Sequence, residues 1–101
     1  MSTSTSLTPR ELALIRGVLA ATPGVSGALL FGSRAKGTAM PGSDVDLALE
    51  GELDALQAEA VASALDDLPL PYRFDVKALN ALHFPPLLDH IKRLGIRIYP
   101  A

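Results

Sequence analysis

Two aspartates, Asp44 and Asp46, stand one residue apart in a segment that otherwise has the composition of a buried strand. Side chains two positions apart in a strand leave the same face about 6.6 Å apart at the backbone. If the two carboxylates approach to about 5 Å, they repel by on the order of 3 kcal/mol at an effective dielectric constant near 20. A divalent cation between them would offset this repulsion, and oxygen ligands indicate Mg²⁺ or Mn²⁺. The alternative is a pair of solvated surface acids.

A candidate phosphate-binding segment precedes the two aspartates. Gly32 ends an apolar strand predicted over residues 25–31, and Ser33 begins a short predicted helix. Glycine lets a ligand approach the backbone closely, and a hydroxyl beside N–H groups at a helix start suits phosphate oxygens. Arg34 and Lys36 add positive charge. The segment lacks the lysine that follows the second glycine of a Walker A loop, so this candidate is a different kind of phosphate site.

A third acid, Asp75, lies within a strand predicted over residues 72–79. If this strand lies beside the one with the two aspartates, three carboxylates share one surface. Such a set could hold two metal ions about 3.5–4 Å apart at the attacking and leaving oxygens of a displacement at phosphorus. Asp75 could also accept the proton of an attacking hydroxyl. The alternative is an exposed acid paired with Arg73 or Lys77.

Helical patterns flank these strands. Thr8, Pro9 and Glu11 predict the start of a first helix by an N-cap, an N1 proline and a capping box. A second helix is predicted over residues 53–66, and a third begins at Pro85 and ends at Gly95. The apolar face expected for the second helix comprises Leu53, Leu56, Ala60 and Ala64, flanked by Val61 and Leu65.

The strands complete the predicted architecture. They cover residues 25–31, 44–49 and 72–79 and the closing segment 96–100, with a turn at Glu50–Gly51. The order is helix, strand, short helix, strand, helix, strand, helix, strand. This order predicts an α/β or α+β fold in which a mixed sheet of about four strands packs against helices.

The composition limits the classes of protein that fit. The 101 residues suit one domain over residues 8–101, preceded by a flexible tail over residues 1–7. The net charge of −2 and dispersed basic residues argue against general nucleic-acid binding. The absence of cysteine excludes disulfides and thiolate metal sites. Without a signal-peptide pattern or an apolar run of about 18 residues, a cytoplasmic protein without a membrane span is expected.

The stretch GSRAKGTAMPGSDVDLAL resembles the signature of the DNA polymerase β-type nucleotidyltransferases, which is Gly-Ser, ten residues and Asp-x-Asp. Asp75 falls where that family's third carboxylate is expected. The resemblance implies the nucleotidyltransferase fold and transfer of a nucleoside monophosphate from ATP or another NTP to a hydroxyl. It implies that Asp44, Asp46 and Asp75 hold two Mg²⁺ ions. The predicted phosphate-binding set is Gly32, Ser33, Arg34, Lys36 and Ser43.

The chain is most similar to minimal nucleotidyltransferases, the MntA-like antitoxins, because it shows no additional acceptor-binding domain. These proteins typically accompany a HEPN-domain toxin, a ribonuclease, and silence it by attaching AMP to a tyrosine. The resemblance therefore implies a HEPN-domain toxin as partner and a protein side chain as acceptor. Two alternatives stay open. One is an antitoxin that neutralises its partner by contact, and the other is a transferase for a small molecule or an RNA end, for which a homo-oligomer would build the acceptor site.

Two histidines fall outside this motif. His83 and His90 are seven residues apart, which would separate them by about 10.5 Å along a continuous helix. This distance is too long for both to bind one ion. Surface or helix-capping positions are therefore expected for both.

Overall fold

The structure is a computed structural model that describes residues 7–37 and 44–100. The elements in chain order are α1 (Pro9–Ala20), β1 (Val25–Phe31), α2 (Ser33–Lys36), β2 (Val45–Gly51), α3 (Ala55–Asp66), β3 (Phe74–Ala78), a 3₁₀ helix (Leu79–Ala81), α4 (Pro85–Leu94) and β4 (Ile96–Tyr99). The order predicted from the sequence is confirmed, with the 3₁₀ helix added after β3. No helix in these two ranges has the length and apolarity that crossing a bilayer requires.

The sheet is mixed, as predicted, and its four strands follow the order β3-β2-β1-β4. Strand β1 runs antiparallel to both β2 and β4. Strand β2 runs parallel to β3, in a register that sets Asp46 opposite Asp75. Strands β2 and β3 are therefore neighbours, as the prediction of three carboxylates on one surface requires.

The two faces of the sheet pack against different helices. The larger core cluster lies on the face that α1 and α3 cover, and includes Ile15, Leu30, Leu47 and Leu65. A smaller cluster on the opposite face joins Phe31 and Ala48 to Ile91 of α4. Side chains alternate between the faces of a strand, so Asp46 is on the α4 face, two residues before Ala48.

The N-terminal helix begins as its sequence predicts. The Thr8 hydroxyl accepts a hydrogen bond from the Glu11 amide at 3.1 Å, and the Thr8 amide donates to Glu11 Oε1 at 2.9 Å. This reciprocal capping box fixes the first turn of α1. Leu7, which the sequence placed in the tail, is 8% exposed and belongs to the larger core cluster.

The face of α3 that packs on the sheet is centred on the predicted flank, Val61 and Leu65, and Leu53 before the helix is buried as expected. Ala58, Val61 and Leu65 are buried, whereas Leu56 is 73% exposed. Both stripes have helical spacing because α3 is apolar around most of its circumference. Burying valine and leucine removes more apolar surface from water than burying alanines, so the Val61–Leu65 stripe faces the core.

The predicted turn at Glu50–Gly51 is also wrong, because β2 continues through both residues. Gly51 pairs with Val25 and Glu50 pairs with Gly27, across an irregularity in β1. A glycine is typical of a turn, but Gly51 pairs with a residue of β1, and the local sequence does not show that pairing. The turn comes after Gly51, and Asp54 caps α3.

Candidate active site

The predicted carboxylates lie at the β2–β3 boundary on the α4 face of the sheet. Asp46 is half-buried, and Asp75 lies opposite it on β3 and is exposed. Asp44 directly precedes β2 and is also exposed. The structure thus brings Asp46 and Asp75 together in register and leaves Asp44 at the entrance to the strand.

The surroundings of Asp46 disfavour its negative charge. Partial burial raises the pKa of Asp46 above its ordinary value, and the negative charges of Asp75 and Asp44 raise it further. The positive charges of Lys77 and Arg34 lower the same pKa and offset only part of the effect. The site therefore favours the arrival of positive charge at Asp46, as a proton or as a cation.

Asp75 has a neighbouring cation of its own. Lys77 Nζ lies 3.5 Å from Asp75 Oδ1, and the two side chains are 37% and 53% exposed. The pairing of Asp75 with Lys77 considered from the sequence is therefore observed. An ion pair this exposed is worth about 0–1 kcal/mol, so it leaves Asp75 accessible to a competing ligand.

Gly32 joins the phosphate-binding candidate to the carboxylates. Its backbone has φ +74° and ψ −151°, a region that is essentially restricted to glycine. A Cβ atom at this position would lie 2.3 Å from Asp46 Oδ2, so the carboxylate rests directly against the glycine. The end of β1 and the acid of β2 are in this way parts of one site.

The other predicted phosphate-binding residues occupy different positions. Ser33 begins α2 and is partly buried, and Lys36 ends α2 and is exposed. Ser43 lies outside the described residues. The roles predicted for these three residues stay predictions.

Arg34 anchors α2 to the rest of the fold. The residue is 3% exposed, and its guanidinium carbon lies 4.5 Å from the centroid of the Tyr72 ring. The Tyr72 hydroxyl donates to Glu11 Oε2 at 2.9 Å, which connects this stack to the capping box of α1. The phosphate-binding role of Arg34 stays a prediction, and the structure adds a role in holding α2.

We expect Tyr72→Leu to lower the free energy of unfolding by about 0.5–2 kcal/mol more than Tyr72→Phe, because leucine removes the ring beneath the cation. Tyr72→Phe keeps that ring and removes only the hydrogen bond to Glu11. Urea denaturation of the two variants measures the difference. Equal losses would mean that the stacking of Arg34 contributes nothing to stability.

His90 was predicted to be a surface or capping residue, but it contacts the candidate site. The Gly32 amide donates to His90 Nε2 at 3.3 Å. The imidazole also meets the Phe31 ring edge-on, with centroids 6.2 Å apart and planes at 78°. No local pattern indicates this contact, because it joins residues 58 positions apart. His83, by contrast, is exposed as expected.

A groove opens beside Asp75. Its volume is about 430 Å³, and it lies between β3, the start of α3 and the segment that follows the 3₁₀ helix. The charged side chains of Asp75, Lys77 and Glu59 line it, together with alanines and Leu82. An incoming side chain could reach Asp75 through this groove.

The chemistry of the donor atoms fits a hard divalent cation. Carboxylate oxygens are the ligands that such cations prefer, and the charges that raise the pKa of Asp46 would be balanced by one. Within residues 7–37 and 44–100, no group of three or more His, Cys, Asp or Glu residues is arranged to hold a metal ion. The structure therefore provides the crowded pair of Asp46 and Asp75 but does not close a three-carboxylate ligand set.

Comparison with known proteins places the chain among nucleotidyltransferases. The family model described as polymerase beta, nucleotidyltransferase matches residues 14–101. A search of curated proteins gave no match.

Solved structures share the fold. A chain of an MntA–HpeT toxin–antitoxin complex is 22% identical with a TM-score of 0.74, covering 89% of this chain and 73% of that one. A chain from the complex of a tri-AMPylated Shewanella oneidensis HEPN toxin with MNT antitoxin is 20% identical with a TM-score of 0.70, covering 91% and 71%. A chain from a toxin–antitoxin structure with AMP-PNP is 24% identical with a TM-score of 0.67, covering 94% and 75%.

Proposed function

Because the chain belongs to the polymerase β-type nucleotidyltransferase family, we propose that it transfers AMP, or another nucleoside monophosphate, from an NTP to a hydroxyl of a partner protein. The enzyme class is the one predicted from the Gly-Ser and Asp-x-Asp motif. The observation that carries the proposal is the position of Asp46, which is half-buried, opposite Asp75 and against Gly32.

The proposed reaction is a single displacement at phosphorus. The acceptor oxygen attacks the α-phosphorus of the NTP, the bond to the bridging oxygen breaks, and pyrophosphate leaves. Asp75, which lines the groove, accepts the proton of the acceptor hydroxyl. Asp44, Asp46 and Asp75 would hold Mg²⁺, with two ions proposed and Mn²⁺ as a substitute. When bound, the metal supplies positive charge that stabilises the phosphates in the transition state.

The triphosphate is proposed to bind along the end of β1 and α2. Gly32 offers close approach to the backbone, Ser33 offers a hydroxyl, and Lys36 offers an exposed ammonium group. Arg34 and Ser43 complete the proposed set. This segment is in contact with the acids through Gly32 and Asp46, which supports one continuous nucleotide site.

The proposed partner is a HEPN-domain toxin. The support is the fold that this chain shares with chains from toxin–antitoxin complexes, one of which contains a tri-AMPylated HEPN toxin. The groove beside Asp75 supports approach of a partner side chain from that direction. The same shared fold favours a second candidate, an antitoxin that neutralises its toxin by contact alone.

Label transfer tests both candidates. The protein is mixed with Mg²⁺, ATP labelled at the α-phosphate and the HEPN-domain protein proposed as its partner. We expect label on the HEPN protein with wild type and none with the Asp44→Asn, Asp46→Asn double variant, because that variant loses two proposed metal ligands.

Asp67→Asn serves as the matched control, because it removes an exposed carboxylate at the end of α3 that belongs to no proposed ligand set. It should label the partner as wild type does. Full label transfer by the double variant would refute the enzymatic proposal. An unlabelled partner that wild type and the double variant both silence would support neutralisation by contact.

A further inference from the structure

His90 makes a contact that the proposed reaction does not yet use. Its Nε2 atom lies 3.3 Å from the amide nitrogen of Gly32, which donates to it. We propose that His90 is a positioning residue for nucleotidyl transfer: it fixes the backbone of Gly32, against which Asp46 rests. This inference rests on the proposed function, since it assigns a role within the same site.

Gly32 is contacted by two groups that the sequence separates widely. Its amide points to His90 on α4, and the space that a side chain would fill is occupied by Asp46 Oδ2. Rotation of the peptide group between Phe31 and Gly32 would change both contacts together. By accepting from the Gly32 amide, His90 therefore also fixes the backbone against which the Asp46 carboxylate lies.

The imidazole is itself held in place. It meets the Phe31 ring edge-on, and the next residue, Ile91, is 1% exposed in the cluster with Phe31 and Ala48. Phe31 is the last residue of β1, directly before Gly32, and Ala48 lies on β2 with Asp46. Packing of α4 on this face thus sets the position of His90 Nε2 relative to both.

A packing role alone would require only the ring of His90, whereas the proposed role requires an acceptor at Nε2. A neutral imidazole has one acceptor nitrogen and one donor nitrogen, and the hydrogen bonds decide which is which. If Nε2 accepts from Gly32, the ring proton must be on Nδ1. This tautomer distinguishes the two roles without any measurement of activity.

The first test is the tautomer of His90 in the full chain, read from the ¹⁵N chemical shifts of the two ring nitrogens at a pH where the ring is neutral. We expect the Nδ1–H form at His90 and mainly the Nε2–H form, usual for a solvated imidazole, at the exposed His83. An Nε2–H form at His90 would overturn the inference, because that nitrogen could not accept from Gly32.

The second test compares His90→Gln with His90→Met in the label-transfer assay. Glutamine places a carbonyl oxygen at a reach similar to that of Nε2, whereas methionine fills the volume without an acceptor of comparable strength. We expect His90→Met to lower kcat about tenfold, the effect of one lost hydrogen bond. His90→Gln should recover most of this loss, and both variants should have similar melting temperatures.

Equal losses in kcat for the two variants would overturn the positioning role. A wild-type chain that labels no partner would refute the proposed function and, with it, the effect on kcat. The tautomer would still report on the hydrogen bond in that case, so the two failures can be told apart.

Discussion

Asp46→Asn is expected to abolish nucleotidyl transfer and to raise the melting temperature of the ligand-free protein. The loss of transfer should be at least about 10³-fold, because the metal ion that Asp46 is proposed to hold would contribute several kcal/mol of charge stabilisation. The gain in stability follows from the pKa of Asp46, which partial burial and the charges of Asp75 and Asp44 raise. Asparagine removes the disfavoured charge, so the melting temperature of the ligand-free variant should exceed that of wild type.

The stability difference should depend on pH in a defined direction. The unfolded chain releases the Asp46 proton near the ordinary value of 3.8, and the folded chain releases it at a higher pH. Between these two values the native state binds more protons, so stability falls as pH rises. The gain in stability from Asp46→Asn is thus fully present above the pKa of Asp46 in the folded chain. It disappears as the pH falls towards 3.8.

Thermal unfolding at several pH values, with and without Mg²⁺, measures this prediction. Asp67→Asn is the comparison, since it removes an exposed carboxylate that belongs to no proposed ligand set. Mg²⁺ should stabilise wild type and have much less effect on Asp46→Asn, because a ligand that binds only the native state stabilises it. A lower melting temperature for metal-free Asp46→Asn at neutral pH would contradict the account of Asp46.

The parts of the site that sequence could predict are those with local periodicity. Alternation within the strands placed Asp46 and Asp75 away from the core, and the structure confirms that β2 and β3 are neighbours. Gly32 was predicted at the end of the strand that precedes the acids, and in the structure Asp46 rests against it. These predictions need only the alternation of side chains along a strand and the knowledge of which strands are neighbours.

The parts that sequence missed depend on contacts between distant residues. The hydrogen bond from Tyr72 to Glu11 spans 61 positions, and that from Gly32 to His90 spans 58. The centre of the buried face of α3 was also misplaced. Its alanines leave two apolar stripes, and only contact with the sheet puts Val61 and Leu65, predicted as flanking residues, at the centre. Periodicity describes the available faces of an element, and tertiary packing selects among them.

Gly32→Ala is expected to abolish transfer by displacing Asp46. The added Cβ would lie 2.3 Å from Asp46 Oδ2, closer than any stable contact allows, so the carboxylate must move. The backbone at φ +74° also disfavours alanine, at a cost of about 1–3 kcal/mol. We expect a loss of transfer of at least about 10²-fold and loss of most of the stabilisation by Mg²⁺.

Gly37→Ala provides the matched control, because it introduces backbone strain of the same kind without displacing Asp46. Gly37 has φ +78°, and apart from its chain neighbours no residue that the structure describes comes within 4 Å of a Cβ at that position. The control should lower the free energy of unfolding by about 1–2 kcal/mol and keep transfer near the wild-type rate below its melting temperature. Label transfer and urea denaturation of both variants make the comparison. If Gly32→Ala retains wild-type transfer, contact with Gly32 does not set the position of Asp46. If Gly37→Ala loses as much transfer as Gly32→Ala, backbone strain in this segment is sufficient to explain the loss.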